Sequence, residues 1–388
     1  MRRVLHIVGS SRYGGGSYVI LRLAQMARQQ GWEPAVLTTD PVFQQVLTEH
    51  QIPFVALECI WREIHPLRDW RGYQRLRDYL QRERFDLVHT HTSKGGFIGR
   101  AAAWHAQIPA VLHTVHGFAF HEQSRPWAVR FYAGLERLAA RWCHRIVTVT
   151  EYHRRWALQL GIGTPEQLRA IPNGIEPSRV LPQNDPTRLR QLLCLTSDTR
   201  VILTTGRLAK QKGLEYLIEA VRLLRREQLP SFVVLIAGDG PLRASLMRQV
   251  QQAGVSNYVR FLGFWRSVGD LLALADIIVL PSLWEGLSIA LLEAMAAGKP
   301  IITTTIGSNL EATDNGRAAK LVPPKDPHAL ADTLCDWLIH PEQARPYAEA
   351  ARQRFAEHYT EERMLEQYRQ LYCELFYGTN LSLSAQCK

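Results

Sequence analysis

Certain side chains of this sequence have types and spacings that could do chemistry. Glu285 and Glu293 stand eight residues apart within residues 284–300. Arg207 and Lys212 share a short stretch bounded by Gly206 and Gly213. Gly14, Gly15 and Gly16 form a run near the N-terminus, and His89, His91, His113 and His116 lie in two short apolar segments. Arginine binds phosphate bidentately and lysine adds a point charge, so Arg207 and Lys212 suit an anionic ligand. A glycine turn places backbone N–H groups around a phosphate. Glu285 is itself an anion, and suits hydroxyls or a developing positive charge. Four histidines could suggest a metal. The alternation points His89 and His91 to one side, however, and no carboxylate stands at ligand spacing, so no metal is expected.

The elements that must position these groups are legible around them. Residues 276–282 are an apolar β-branched run, read as a buried parallel strand that Pro281 and Ser282 end. Ser288 can cap the following helix, whose apolar face is Leu291, Leu292 and Met295, and Gly298 and Pro300 stop it. Glu285, Gly286 and Leu287 therefore sit in a loop at the C-terminal end of a strand, where open α/β sheets bind ligands. Residues 201–205 form another strand, and its exit loop carries Arg207 and Lys212. Residues 4–8, the glycine run and a helix through Val19, Leu23 and Met26 make a βαβ opening; it is not GxGxxG. Residues 86–91 and 111–116 are strands that lead into Lys94 and Gly117. Residues 66–84 read as a basic amphipathic helix with Trp70, Tyr73, Leu76 and Leu80 on one face, expected to pack on a sheet, while its arginine side stays open to contact with anionic lipid. Residues 125–145 read as a helix whose stripe of Trp127, Phe131, Leu135, Leu138 and Trp142 is core.

Length and composition set the frame. The 388 residues, 46% apolar, fit two or three globular domains. The six cysteines form no CxxC or Cys/His ligand cluster and are read as reduced thiols in a cytosolic protein. The first apolar run is too short for a signal-peptide core, and no run is long enough to cross a bilayer. The net charge of +10 is uneven: residues 1–172 hold 22 Lys and Arg against 13 Asp and Glu. A basic first half points to an acidic partner: a membrane surface, an anionic substrate or nucleic acid, and an anionic membrane surface is among the expected partners. No helix-turn-helix, RRM or zinc signature supports nucleic acid.

The two glutamates in their strand–loop–helix setting resemble the signature of glycosyltransferase family 4. His-Thr-His-Thr-Ser-Lys-Gly-Gly at 89–96 and His-Thr-Val-His-Gly-Phe at 113–118 are similar to the branch that builds bacterial capsular, exopolysaccharide and lipid-linked oligosaccharide chains. The resemblance covers residues from about 4 to about 375. It implies an α/β GT-B fold: two Rossmann-like doubly wound domains facing across a cleft, with a C-terminal helix crossing back to the first. The expected boundaries are 1–172 for an acceptor-binding domain, with 360–388 packing back, and 173–359 for a nucleotide-sugar-binding domain.

The same resemblance implies roles. His116 faces the donor sugar, Glu285 contacts it and Glu293 reaches the ribose. Arg207 and Lys212 hold the diphosphate, with Gly286, Leu287 and Ser288 beside it. The loop at Gly263 contacts the base. Gly14, Gly15, Gly16, His91 and Lys94 line the acceptor and phosphate side. Ser308 and Ala319 depart from glycines usual in the family. The chain has no DxD pair, and Arg207, Lys212 and a helix N-terminus can do a metal's electrostatic work, so metal-independent transfer without a cofactor is expected. The function expected is retaining transfer of a hexose from a nucleotide-sugar, a UDP-sugar before a GDP-sugar, to a lipid-linked or glycan acceptor at the inner face of the cell membrane. A nucleotide-sugar epimerase on the same fold fits the motifs less well. The alternative from another class is a non-catalytic subunit that binds a nucleotide-sugar or a partner transferase.

Overall fold

Runs of Val, Ile and Leu bounded by glycine dictate strands covered on both faces. The computed structural model describes residues 1–9, 14–61, 63–225 and 227–378. They divide into two units, one of Met1–Asn173 with the chain from Glu362, the other of Gly174–Glu361.

The first unit holds β1 (Arg3–Gly9), β2 (Glu33–Thr38), β3 (Phe54–Val55), β4 (Leu87–His91), β5 (Ala110–Val115), β6 (Arg145–Thr148) and β7 (Leu168–Ala170). They form one parallel sheet in the order β3-β2-β1-β4-β5-β6-β7, doubly wound from β1 outward. Leu5, Ile7, Val88 and Val111 meet Leu76, Leu80 and Ala102 of covering helices in its core. The last helix, Glu361–Tyr377, brings Tyr368 and Tyr372 fully inside this unit, as the expected return of the C-terminus requires.

The second unit holds β8 (Arg200–Thr205), β9 (Phe232–Ala237), β10 (Val259–Gly263), β11 (Ile277–Leu280), β12 (Ile301–Thr304) and β13 (Lys320–Val322). Their order is β10-β9-β8-β11-β12-β13, again parallel. Strand order reverses direction between β8 and β11, and both Arg207 and Glu285 lie just beyond the C-terminal ends of those two strands. That crevice is where doubly wound sheets place ligands. Gly298, at φ +59°, follows the helix Ile289–Ala296 as the sequence predicts.

Some expectations need correction. On the helix Pro66–Glu83, Leu76 and Leu80 are buried, but Trp70 is 59% exposed and does not join the packed stripe. On the helix Pro126–Ala140, Trp127 and Phe131 are 65% and 56% exposed rather than core. Its buried face is Ala133, Glu136, Ala139 and Ala140. The neighbouring helix Ser93–His105 explains the rotation. Its Arg100 is fully buried, and Nη2 donates to Glu136 Oε2 at 2.7 Å. A buried charge needs its partner beside it, so Glu136 faces inward and the aromatic rings turn out. Cys59, Cys143, Cys194 and Cys335 are free, but Cys373 is disulfide-bonded, so the reading of six reduced thiols fails there. Cys387 lies outside the described residues.

Candidate active site

In the second unit, β8 ends in a loop that turns tightly through Gly206, at φ +135°, into the short 3₁₀ turn Lys210–Lys212. Gly213 closes that turn at φ +60°, and a Cβ there would stand 2.2 Å from the Pro281 carbonyl oxygen. The next loop is therefore laid directly against it. Leu283 N donates to Gln211 O at 2.7 Å, fastening the two loops together. Glycine is required by both the φ and the contact.

This fastening brings the expected charges into one group. Lys212 Nζ lies 2.5 Å from Glu285 Oε1, which also accepts from Ser282 Oγ at 2.8 Å. Gln211 Nε2 donates to Glu285 Oε2 at 2.9 Å. The Glu285 side chain is only 7% exposed, so its carboxylate is held by donors on both oxygens rather than by water. Arg207 is exposed, and lines the same small depression as Lys212, Gly206, Thr205 and Ala237. Gly286 and Leu287, both buried, lead from Glu285 into the helix Ile289–Ala296. First-turn amides of a helix lack intrahelical acceptors and favour an anion.

Ser288 stands at the N-cap position but makes no capping bond; its Oγ is buried without a protein partner. The expected cap is therefore corrected: the Ser288 carbonyl, not its hydroxyl, starts the helix, accepting from Leu291 N and Leu292 N. Glu293 is buried on the same helix. Arg179 Nε reaches its Oε1 at 2.7 Å. Burial raises the Glu293 carboxyl above the usual carboxylate range, and Arg179 and then Lys212 pull it partly back. Gly263 ends β10 at φ +71°, and its carbonyl accepts from Gly238 N at 2.7 Å.

In the first unit, His116 stands in the exit from β5, half-buried. Its Nε2 lies 3.1 Å from His91 Nδ1. His91 is fully buried, so it cannot line the acceptor side as expected; it touches His116 and His6 instead. His89 shares that face, as the alternation predicts. Its Nδ1 and Nε2 are bonded to Tyr372 Oη at 2.6 Å and Thr114 Oγ1 at 2.7 Å. Ring nitrogens of His6, His89 and His91 lie within 4.8 Å of one another, the one candidate metal-ligating group among the described residues. His89 has both nitrogens committed to hydroxyls, which leaves it poorly placed to ligate. Gly15 and Gly16 open the helix Gly15–Gln29 behind Gly14, and a Cβ on Gly16 would lie 3.8 Å from His116 Cγ. The glycine run thus comes against His116 at Gly16. Lys94 is paired with Asp69 at 2.7 Å and donates to the Glu63 carbonyl.

Sequence patterns missed several partners. Gln211, Ser282 and Arg179 became visible only once the loops were folded together. His6 did carry a signal, a polar residue inside the apolar run of β1, in register with His89 of β4.

With this geometry in place, comparison with known proteins is decisive. Residues 13–179 match the model of Glycosyltransferase Family 4, and residues 187–354 match that of Glycosyl transferases group 1. The putative glycosyltransferase EpsD of Bacillus subtilis is 30% identical over 351 residues, 88% of this chain and 90% of that one. The chain belongs to glycosyltransferase family 4. This family 4 enzyme is also 34% identical, over 66% of each chain, to UDP-Gal:alpha-D-GlcNAc-diphosphoundecaprenol alpha-1,3-galactosyltransferase of Escherichia coli. Its fold is similar to that of Anabaena HepE in complex with UDP and glucose, with a TM-score of 0.83 at 21% identity, covering 96% of this chain and 100% of that one. The two parallel sheets are therefore those of a GT-B glycosyltransferase.

Proposed function

We propose that this glycosyltransferase moves a hexose from a UDP-sugar to a lipid-linked acceptor, with retention of configuration and without a metal ion. The observation that carries the reading is the Lys212–Glu285 pair at 2.5 Å, with Arg207 beside it beyond the β8 and β11 strand ends. On this reading Arg207 and Lys212 hold the diphosphate and offset the charge that develops on the departing UDP. They supply the positive field that a divalent cation would otherwise provide. Glu285 neutralises Lys212 before the donor arrives and orients it afterwards, while the Glu285 carboxylate meets sugar hydroxyls. Glu293, tied to Arg179, is assigned to the ribose. His116 is assigned to the donor sugar, and the glycine run to the acceptor side. Two similar proteins support the substrate classes: HepE is solved in complex with UDP and glucose, and the Escherichia coli relative is a UDP-Gal:alpha-D-GlcNAc-diphosphoundecaprenol galactosyltransferase.

The acceptor class also suits the surface of the first unit. Leu67, Trp70, Trp104, Trp127 and Phe131 are exposed on three helices, of which Ser93–His105 packs against both others. Arg68, Arg71 and Arg130 are exposed on the outer two, and Arg125 is exposed just before the second of them. Aromatic rings with arginines around them suit an anionic membrane surface, and peripheral attachment at its cytoplasmic face is part of the proposal.

A panel of UDP-, GDP-, ADP- and dTDP-sugars, offered with EDTA, tests this. Thermal stabilisation and slow nucleotide release with a UDP-sugar are expected. With a diphospho-lipid acceptor added, the product should keep the donor's anomeric configuration by NMR. Turnover that vanishes in EDTA and returns with Mg²⁺ would sink metal independence. Donor binding without turnover on any acceptor would favour a non-catalytic subunit.

A further inference from the structure

Three imidazoles of the first unit are joined in a line. His6 Nδ1 lies 3.2 Å from His91 Nε2, and His91 Nδ1 lies 3.1 Å from His116 Nε2. His6 and His91 are fully buried. Burial holds His6 down to about 3 and His116 to about 4, and keeps His91 well below the usual imidazole range. All three are therefore neutral near pH 7, each with one N–H and one lone pair.

That constraint leaves two arrangements that make both bonds. In the first, every ring carries its proton on Nδ1: His6 donates to His91, His91 donates to His116, and His116 presents an N–H at its own Nδ1. In the second, every ring carries it on Nε2, the bonds reverse, and His116 presents a lone pair at Nδ1. The two ends of the line, His6 Nε2 and His116 Nδ1, are both buried atoms without a hydrogen-bond partner. The second arrangement puts an N–H at His6 Nε2, inside a sealed core with no acceptor. The first leaves only a lone pair there. The first puts its N–H at His116 Nδ1, also without a protein partner, so each arrangement leaves one N–H unpaired within the protein and the choice turns on which end an outside oxygen can reach. His6 and His91 are fully buried, whereas His116 is partly exposed as a residue, so a water or ligand oxygen can come within reach only at the His116 end, which selects the first arrangement.

We propose that His6 and His91 are positioning residues that hold His116 as the Nδ1–H tautomer, making it a hydrogen-bond donor to an oxygen of the sugar-nucleotide. The proposal rests on His116 meeting the donor, as assigned above. Because Nε2 of His116 is occupied by His91, any such bond must run through Nδ1. His91 therefore acts only through His116. His89, with both nitrogens on Tyr372 and Thr114, stands outside the line.

Histidine-selective ¹⁵N labelling and long-range ¹H–¹⁵N correlation read each tautomer directly in the full chain. In the free protein, His6, His91 and His116 are all expected as Nδ1–H. An Nε2–H form of His91 or His116 would overturn the proposal, as would stoichiometric zinc on His6 and His91 in the purified protein. His6→Leu removes the first donor; His116 should then populate both tautomers, with kcat/KM down about tenfold, the worth of one hydrogen bond. His6→Asn, whose amide N–H stands where Nδ1–H was, should restore both readouts. A folded His6→Leu variant with the wild-type tautomer and turnover, or a folded His6→Asn variant no better than it, sinks the idea. UDP-glucose and UDP-galactose should shift the His116 Nδ1 resonance. If UDP alone does the same, the accepting oxygen is phosphate; if only the sugar-nucleotides do, it is a hydroxyl. Expected tautomers with no shift from any of the three would leave the line standing and remove the contact of His116 with the donor.

Discussion

At the scale of single residues, Glu285 is defined by its donors. Lys212, Ser282 and Gln211 satisfy both carboxylate oxygens in a place almost sealed from water. Deleting Lys212 therefore has two consequences: Glu285 keeps only neutral donors, and the diphosphate loses a fixed cation. Lys212→Ala should lower kcat by at least about a hundredfold, the cost of removing one preorganised electrostatic partner. Glu285→Ala should be as damaging. Both variants should stay folded, with a melting temperature lowered because each leaves a largely buried partner unpaired, but with a loss of turnover far larger than that loss of stability accounts for. Steady-state release of UDP, with thermal melts on the same samples, checks this; wild-type turnover in either variant removes the site. Glu285, Glu293, Arg207 and Lys212 were legible in the sequence because each sits at a fixed short distance from a strand end or a helix start. Arg179 was not. It meets Glu293 across 114 positions of sequence, a pairing that no local pattern encodes.

At the scale of elements, the basic turn and the glutamate loop hold their register through backbone contact. Gly213 shows how closely: beyond its positive φ, an added Cβ would strike the Pro281 carbonyl at 2.2 Å. Gly31 has a similar φ of +74° but nothing within 4 Å. Gly31→Ala should then cost only the left-handed strain, about 1 kcal/mol. Gly213→Ala adds the clash, so its melting temperature should fall further and donor binding should weaken with it. Equal losses in the two variants, with donor binding intact, would show that the turn does not position Lys212. The histidine-bearing strands make a second prediction. His6, His89, His91, His113, His116 and His153 all have folded-state values below the ordinary imidazole range of about 6.5, with burial as the leading cause. The unfolded chain then binds more protons than the folded one as pH falls below about 6.5, so stability is fully present above that pH and is lost toward acid. Each neutral histidine adds up to about 1.4 kcal/mol per pH unit to that slope. The urea midpoint should be flat from pH 8 to 7 and fall steeply from 6.5 to 5. A constant midpoint across that range would mean the imidazoles titrate normally. The strands and their order were legible from apolar runs and glycine exits. The facing of the helix Pro126–Ala140 was not, because a fully buried Arg100 outweighs the apolar stripe and pulls Glu136 inward.

At the scale of the whole molecule, charge and exposed rings fall in the same unit. The sequence showed the charge: residues 1–172 hold nine more basic than acidic side chains, out of a net +10. It hid the rings, since Trp70, Trp127 and Phe131 share helical spacing with core residues and only the packed unit tells outside from inside. A cationic surface alone binds anionic lipid weakly, at about 1 kcal/mol per arginine near the headgroups, and is screened by salt. Exposed rings alone insert too little. Together they make two signals, and burying about 100 Å² of a Trp or Phe ring in the interface is worth about 2.5 kcal/mol. No helix among the described residues is long and apolar enough to cross a membrane. The chain should co-sediment with vesicles containing phosphatidylglycerol and much less with pure phosphatidylcholine, at low salt. Trp127→Ala and Phe131→Ala should each weaken that binding by up to about sixtyfold while leaving the melting temperature unchanged, because both rings face water in the folded unit. Turnover of a soluble acceptor analogue should stay at the wild-type rate in both variants, whereas turnover of a vesicle-borne diphospho-lipid should fall with binding. Equal recovery on the two vesicle types would remove the electrostatic half of the argument, and wild-type binding by both variants would remove the aromatic half.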